Sequence, residues 1–255
     1  MAVALLSAAA LGLTACGGGD DAAGAPDGAL TGEITVSAAA SLKEAFSTVA
    51  EDFEAAHPGT TVTLNFGSSG DLATQIQSGA PADVAAFAAE SNMTTLADGG
   101  LLDGGYQIFA TNSLVIVTKP GNPAGVEHLS DLATVGTVSL CVDTAPCGMY
   151  AAQILAKAGV TIPSDAVTRG QDVRATLAAV SDGDADAGIV YVTDAAAVGG
   201  AVATVDVPPA DNAVAGYPIA VVKATGNTAV AEAFVADVLG PRAQAVLKDA
   251  GFGAP

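Results

Sequence analysis

The sequence predicts an α/β fold with largely parallel sheets. Short runs of β-branched residues alternate with segments of helical periodicity along most of the chain. This alternation is typical of sheets whose strands are joined by helices. The composition, rich in Ala and Val with 30 Gly and no Trp, indicates a core built from small side chains. The 255 residues contain no repeat of fixed period and suit one large domain or two compact ones.

The individual elements follow from hydrophobic periodicity and from capping residues. Ordered structure is expected from Glu33 onward, and Ser41 and Glu44 form the pattern of a capping box at the start of the first helix. Predicted strands cover residues 34–36, 62–66, 84–87, 114–117, 138–142, 188–191 and 219–222. Predicted helices cover residues 42–53, 70–76, 93–97, 146–155, 172–180 and 228–249, the last broken at Pro241.

The N-terminal segment has the pattern of a lipoprotein signal peptide. An apolar run at residues 2–13, too short to span a bilayer, leads into Leu13-Thr14-Ala15-Cys16. We therefore expect a signal peptide at 1–15, lipid on Cys16 and a flexible Gly-rich tether at 16–32. The expected location is extracytoplasmic, anchored to the cell membrane. The alternative is an ordinary N-terminal core helix, and no Lys or Arg precedes the apolar run.

Charge and cysteine content narrow the classes of function. A formal charge of −19 argues against nucleic-acid binding, which requires clustered Lys and Arg. Cys141 and Cys147 would lie in an oxidising compartment and are expected to form a disulfide around a short turn. The alternative is a pair of buried free thiols.

Motifs typical of enzymes are absent from the sequence. The two His lie outside any metal-ligand spacing, and no G-x-S-x-G elbow or Walker A loop occurs. Instead, several predicted helices begin with Ser or Gly directly after a strand, at Ser41, at Ser68 and Ser69, at Cys147 and at Val173. Each serine alone could be a simple helix cap. Together, converging helix N-termini predict an anion site that needs no Lys or Arg.

An ordered set of motifs resembles the molybdate-binding proteins of ABC transporters over residues 33–253. The first half carries Ala38-Ala39-Ala40-Ser41-Leu42, Gly67-Ser68-Ser69-Gly70 and Gly79-Ala80-Pro81-Ala82-Asp83. The second half carries Pro146-Cys147-Gly148-Met149-Tyr150-Ala151, Asp172-Val173-Arg174, Gly188-Ile189-Val190-Tyr191 and Tyr217-Pro218-Ile219.

The resemblance implies a periplasmic-binding-protein type II fold with two domains, each a mixed sheet flanked by helices, and two crossover hinge strands. Domain one would hold residues 33–111 and 218–255, and domain two residues 112–217. The family implies a protein that captures molybdate or tungstate between its domains and delivers it to a transporter permease. It implies no enzyme activity and no cofactor beyond the oxyanion ligand, and a monomer is expected.

The resemblance also assigns the ligand contacts. Hydroxyl and backbone donors fall on Ser41 and Ser69, with Ser68 as the neighbouring candidate, and backbone N–H donors fall on Cys147 and Val173. A phenol hydroxyl falls on Tyr191, which could instead fill the core between the domains. Arg174 could assist the anion or pair with a carboxylate.

Three other functions stay open at the level of sequence. The same fold could bind sulfate, which has the same charge as molybdate, or phosphate, whose proton needs an acceptor that an all-donor site lacks. A secreted hydrolase using Ser69 would need a base that the sequence does not show. A purely structural surface lipoprotein would not need the repeated Ser and Gly helix starts.

Overall fold

The computed structural model describes residues 30–255. The predicted signal peptide at 1–15, the lipid-bearing Cys16 and all but the end of the predicted tether at 16–32 lie outside the described residues. Among the residues that are described, no helix is both long enough and apolar enough to cross a membrane.

The strands form one continuous path of mixed sheet, which confirms the predicted α/β fold class. In spatial order they run β2, β1, β3, β9, β4, β7, β5, β6, with β8 also paired to β4. Strands β1 to β3 pair in parallel, as do β5 to β7, whereas β9 is antiparallel to β3 and β4. Their bounds are β1 Gly32–Ala39, β2 Thr60–Gly67, β3 Val84–Ala86, β4 Gln107–Thr118, β5 Val138–Cys141, β6 Val167–Gly170, β7 Ala187–Tyr191, β8 Ala203–Asp206 and β9 Val214–Val221.

Two long strands join the halves of the sheet. The first part of β4, residues 107–113, pairs with β9, and its second part, residues 114–118, pairs with β7. Strand β9 in turn pairs with β3 through residues 219–221. The two groups of parallel strands are thus joined through β4 and β9.

Eight α-helices cover the sheet faces in the described part of the chain. They are α1 Lys43–Ala56, α2 Ser69–Gln77, α3 Glu90–Asp98, α4 Pro146–Lys157, α5 Val173–Ser181, α6 Val192–Ala197, α7 Thr228–Val238 and α8 Pro241–Asp249. The strands they cover are nearly continuous apolar runs, as expected for parallel sheets buried on both faces. Ile34, Val36, Ile116 and Ile189 are fully buried.

The structure differs from the predicted elements in the length and number of its strands. Strand β4 begins seven residues before the predicted start at Leu114, because its first half includes Thr111, Asn112 and Ser113. Strand β9 likewise begins at Val214 rather than Ile219, and β6 and β8 are short strands that the sequence did not predict. These segments are held by ladder hydrogen bonds to neighbours that sequence periodicity does not identify.

Candidate functional site

One cavity lies where the carboxyl ends of β1, β2, β5 and β7 lead into helices. Its volume is about 210 Å³. This is smaller than the usual range for metabolite pockets and suits a small ion. The residues around it are Ala39, Ala40, Ser41, Gly67, Ser68, Ser69, Ala88, Ala145, Pro146, Cys147, Asp172, Val173 and Tyr191. All five residues assigned by the resemblance are therefore brought together.

Ser41 lies in a 3-10 turn at 40–42 and not at a helix cap. The prediction of a capping box was wrong, since α1 begins at Lys43 after Leu42 and no side chain caps it. The Ser41 hydroxyl, which is 6% exposed, instead lies 2.8 Å from the hydroxyl of Tyr217. The 3-10 turn thus turns the serine away from the α1 backbone and toward the cavity.

Ser68 and Ser69 form the start of α2. Ser68 is the N-cap residue and makes no side-chain capping bond, and its buried hydroxyl has no hydrogen-bond partner among the described residues. Ser69 is 1% exposed, and its Oγ accepts a hydrogen bond of 3.0 Å from the backbone N–H of Ala88. Because the Ser69 oxygen already accepts, its own proton remains available to the cavity.

Helix α4 brings Cys147 to the cavity within its first turn. Pro146 occupies its start, where a missing N–H costs nothing, and Ala145 is the N-cap residue. The predicted disulfide is confirmed, as Cys141 at the end of β5 is bonded to Cys147 with a Cα–Cα distance of 5.8 Å. The bond ties the start of α4, and with it the Cys147 N–H, to the strand that precedes it.

Helix α5 begins at Val173. Because Val173 lies in the first turn, its N–H has no carbonyl acceptor within the helix. Asp172 is the N-cap residue, and its Oδ1 accepts a hydrogen bond of 2.9 Å from the Ala175 N–H. Although the Asp172 carboxylate borders the cavity, it is thereby used in capping α5.

Tyr191 closes the cavity from the end of β7. Its side chain is 1% exposed, and its hydroxyl has no hydrogen-bond partner among the described residues. Burial raises the pKa of Tyr191 well above its ordinary value, so the phenol keeps its proton and acts as a donor at neutral pH. A buried hydroxyl without a partner is costly, which makes this group a candidate ligand contact.

Asp194 is a buried carboxylic acid three residues beyond Tyr191. It is 2% exposed, and neither carboxyl oxygen has a hydrogen-bond partner within residues 30–255. Burial raises its pKa to about 8, against the lowering effect of Arg174. Asp194 is therefore mostly neutral at pH 7 and adds little negative charge near the cavity.

Two contacts hold the sides of the cavity together. Gly70 in α2 lies so close to the loop before α4 that a Cβ atom would come within 2.5 Å of the Thr144 carbonyl oxygen. Arg174 of α5 bonds both carboxylate oxygens of Glu44 in α1, at 2.7 and 2.9 Å. Arg174 thus pairs with a carboxylate and does not border the cavity.

The arrangement offers hydrogen-bond donors and no paired cation. The side chains of Ser41, Ser69 and Tyr191 carry hydroxyl protons, and the starts of α2, α4 and α5 carry unpaired N–H groups with the positive ends of the helix dipoles. Such a set favours a small anion. Within the described part of the chain, no group of three His, Cys, Asp or Glu side chains is arranged to hold a metal ion.

Sequence reasoning missed three polar residues near the site. Asn112 and Tyr217 join Ser41 in a buried hydrogen-bond chain, and Asp194 lies beside Tyr191. The motif Tyr217-Pro218-Ile219 included Tyr217, but nothing in its spacing indicated that this residue approaches Ser41. Such contacts depend on the sheet order and not on local sequence.

Comparisons with known proteins agree with this geometry. The family model described as bacterial extracellular solute-binding protein matches residues 34–253. The molybdate-binding protein ModA of Mycobacterium tuberculosis H37Rv is 40% identical over 247 residues, which cover 96% of this chain and 94% of that protein. The periplasmic molybdate-binding protein of Azotobacter vinelandii has a similar structure, with a TM-score of 0.79, 25% identity and coverage of 87% of this chain and 99% of that one.

The fold is also shared with a sulfate binder. The sulfate-binding protein SubI of M. tuberculosis H37Rv has a TM-score of 0.79 at 24% identity and covers 86% of each chain, which shows the fold alone. Fold and comparisons together define a solute-binding protein with the mixed α/β fold of the periplasmic binding proteins. The chain belongs to the family of bacterial extracellular solute-binding proteins.

Proposed function

We propose that this protein binds molybdate between its two halves and delivers it to the permease of an ABC transporter. The single observation that carries the proposal is the convergence of Ser41, Ser69, Cys147, Val173 and Tyr191 on one small cavity. The relative that is 40% identical over nearly the whole chain is a molybdate-binding protein, which favours this oxyanion. Tungstate, with the same charge and tetrahedral shape, is the expected second ligand.

The charges of the site support a fully deprotonated oxyanion. The cavity is bordered by hydroxyl and N–H donors, and the Asp172 carboxylate at its edge accepts the Ala175 N–H as the cap of α5. Burial raises the pKa of Asp194 to about 8, which disfavours a negative charge on that group. A dianion held by several donors in a water-poor site needs no cation beside it. The protein catalyses no reaction in this proposal, and the oxyanion is its only ligand.

Sulfate is the second candidate, since a sulfate-binding protein shares the fold. Sulfate has the same charge as molybdate but shorter bonds, so only the fit of the cavity separates them. Phosphate fits less well, because its hydroxyl would face donors and remain unpaired at a cost of about 1–3 kcal/mol.

The proposed binding motion uses β4 and β9 as hinges. In this proposal one domain holds residues 33–111 and 218–255 and the other holds 112–217. Contacts of the ligand with Ser41 and Ser69 on one side, and with Cys147, Val173 and Tyr191 on the other, would stabilise the closed arrangement. Arg174 and Glu44 would add a contact between α5 and α1 at the same opening.

Calorimetric titration tests the proposal directly. We expect tight binding of molybdate and tungstate and weaker binding of sulfate and phosphate. Ser69→Ala should weaken molybdate binding about 10- to 150-fold, from about 1.5–3 kcal/mol for a hydroxyl bonded to a charged ligand. Val173→Ala is the matched control, because only its backbone is used. Equal affinity of parent and Ser69→Ala would show that the site is misplaced, and binding of sulfate alone would favour the second candidate.

We further propose that Cys16 carries the lipid that anchors the protein outside the cell membrane. Mass spectrometry of the protein extracted from membranes should find a mature N-terminus at Cys16 with the lipid mass attached. A Cys16→Ala variant should be released into the soluble fraction. A mature N-terminus at another residue would contradict the anchor without affecting the binding site.

A further inference from the structure

We propose that Tyr217, held by Asn112, is a positioning residue that directs the hydroxyl proton of Ser41 into the cavity, where it can be donated to the oxyanion. The inference deepens the proposed function and rests on it. Tyr217 is fully buried and does not border the cavity, so any effect on a ligand must pass through Ser41.

The direction of the chain of hydrogen bonds is set at Asn112. Its Oδ1 accepts from the backbone N–H of Ser113 at 2.9 Å, which fixes the orientation of the amide. Its Nδ2 therefore donates, to Thr193 Oγ1 at 2.9 Å and to the Tyr217 hydroxyl at 3.3 Å. An amide nitrogen can only donate, so Tyr217 is an acceptor in this contact.

One acceptor lies within hydrogen-bond distance of the Tyr217 hydroxyl. Burial raises the pKa of Tyr217 above its ordinary value, so the phenol keeps its proton. Among the described residues its hydroxyl contacts Asn112 Nδ2, which cannot accept, and Ser41 Oγ at 2.8 Å, which can. Tyr217 therefore donates to Ser41.

Ser41 is left as a donor toward the cavity. Its oxygen accepts the Tyr217 proton in this hydrogen bond. The Ser41 proton is therefore not used in that bond and can be donated to another acceptor. An unprotonated oxygen of the oxyanion can therefore accept the Ser41 proton.

Packing around Tyr217 holds the hydrogen bonds from Asn112 to Ser41 in place. The Tyr217 ring packs edge-on against Phe109, Tyr191 and Phe252, with ring centroids 6.2, 6.0 and 5.3 Å away. Asn112 lies on β4, Tyr217 on β9 and Thr193 at the start of α6, so the chain is assembled from the two joining strands and one helix. The orientation of Ser41 thus depends on elements from both halves of the molecule.

A double-mutant cycle with calorimetric titration of molybdate tests the inference. Tyr217→Phe keeps the ring and removes the hydroxyl, and should weaken molybdate binding about 3- to 10-fold as Ser41 loses its fixed orientation. In a Ser41→Ala background, Tyr217→Phe should have no further effect. Tyr106→Phe, which removes a hydroxyl outside the site, should leave the affinity unchanged.

If Tyr217→Phe unfolds the chain, Asn112→Ala, which removes the donor to Tyr217, should weaken molybdate binding in the parent and have no further effect in the Ser41→Ala background.

The outcomes separate the inference from the proposed function. The same loss of molybdate affinity with and without the Ser41 hydroxyl would overturn the role of Tyr217. An unchanged molybdate affinity in Tyr217→Phe would overturn it as well. If Ser41→Ala alone binds molybdate as tightly as the parent, Ser41 is not a ligand contact, and the proposed site and the role of Tyr217 are both wrong.

Discussion

At the scale of single residues, the site is marked by buried hydroxyl groups that the protein does not satisfy. The hydroxyls of Ser68 and Tyr191 have no partner among the described residues, although both side chains are almost fully buried. Buried polar groups in folded proteins are normally paired. Two such groups at one cavity are candidate contacts for a ligand.

Tyr191→Phe should therefore separate binding from stability. The variant should bind molybdate about 10- to 150-fold more weakly if the phenol donates to the charged ligand. The ligand-free protein should unfold at the same or a higher temperature, because the change removes an unpaired buried hydroxyl. Calorimetric titration and thermal unfolding measure the two effects. Unchanged affinity would mean that Tyr191 only fills the core.

Asp194 should make stability depend on pH. Its pKa is about 8 in the folded protein against an ordinary value of 3.8, so the folded chain binds the proton more tightly than the unfolded chain. This group therefore stabilises the fold fully below about pH 4, and the contribution is lost as the pH rises toward 8.

Asp194→Asn tests this dependence, because the amide is neutral at every pH. The variant should lose less stability than the parent between pH 4 and pH 8 and should unfold at a higher temperature near pH 9. Asp165→Asn, which removes one charge from an exposed 3-10 turn, is the matched control. Thermal unfolding curves across the pH range measure the difference. Parallel curves for parent and Asp194→Asn would exclude an elevated pKa.

At the scale of elements, the starts of three helices meet at one point because each follows the end of a strand. Helix α2 follows β2, α4 follows β5 and α5 follows β6, and all begin beside the same cavity. Ligands of α/β proteins commonly bind at the carboxyl ends of strands for this reason. The disulfide between Cys141 and Cys147 fixes one of these junctions covalently.

The contact of α2 with the loop before α4 should be sensitive to one added methyl group. In Gly70→Ala the new Cβ would come within 2.5 Å of the Thr144 oxygen, so the two sides must separate. Overpacking of about 1–3 kcal/mol would weaken molybdate binding roughly 5- to 150-fold.

Gly105→Ala is the control for that substitution, since nothing lies within 4 Å of its added Cβ. Titration calorimetry of both variants measures the effect on binding, and circular dichroism confirms that both are folded. If Gly70→Ala and Gly105→Ala bind molybdate equally well, close contact between α2 and the Thr144 loop is not needed for binding.

At the scale of the whole molecule, the sequence predicts the local patterns well and the long-range contacts poorly. The fold class, most helices and the disulfide follow from periodicity and composition. The capping box at Ser41 and Glu44 was wrong, because tertiary contacts with Tyr217 and Arg174 override a local preference. Asn112 and Tyr217 approach Ser41 only through the order of strands in the sheet, which lies outside the information in any short motif.

Ligand binding should stabilise the molecule as a unit, since the proposed site contacts both halves. A ligand that binds only the folded state adds about 2.7 kcal/mol at one hundred times its Kd. For a chain of this size, that corresponds to a rise in Tm of about 5–11 °C. We expect molybdate and tungstate to produce this rise at low concentration, sulfate only at much higher concentration, and Ser41→Ala to need correspondingly more molybdate. Thermal unfolding monitored by circular dichroism measures these shifts, and a rise with sulfate but none with molybdate would reassign the site to sulfate.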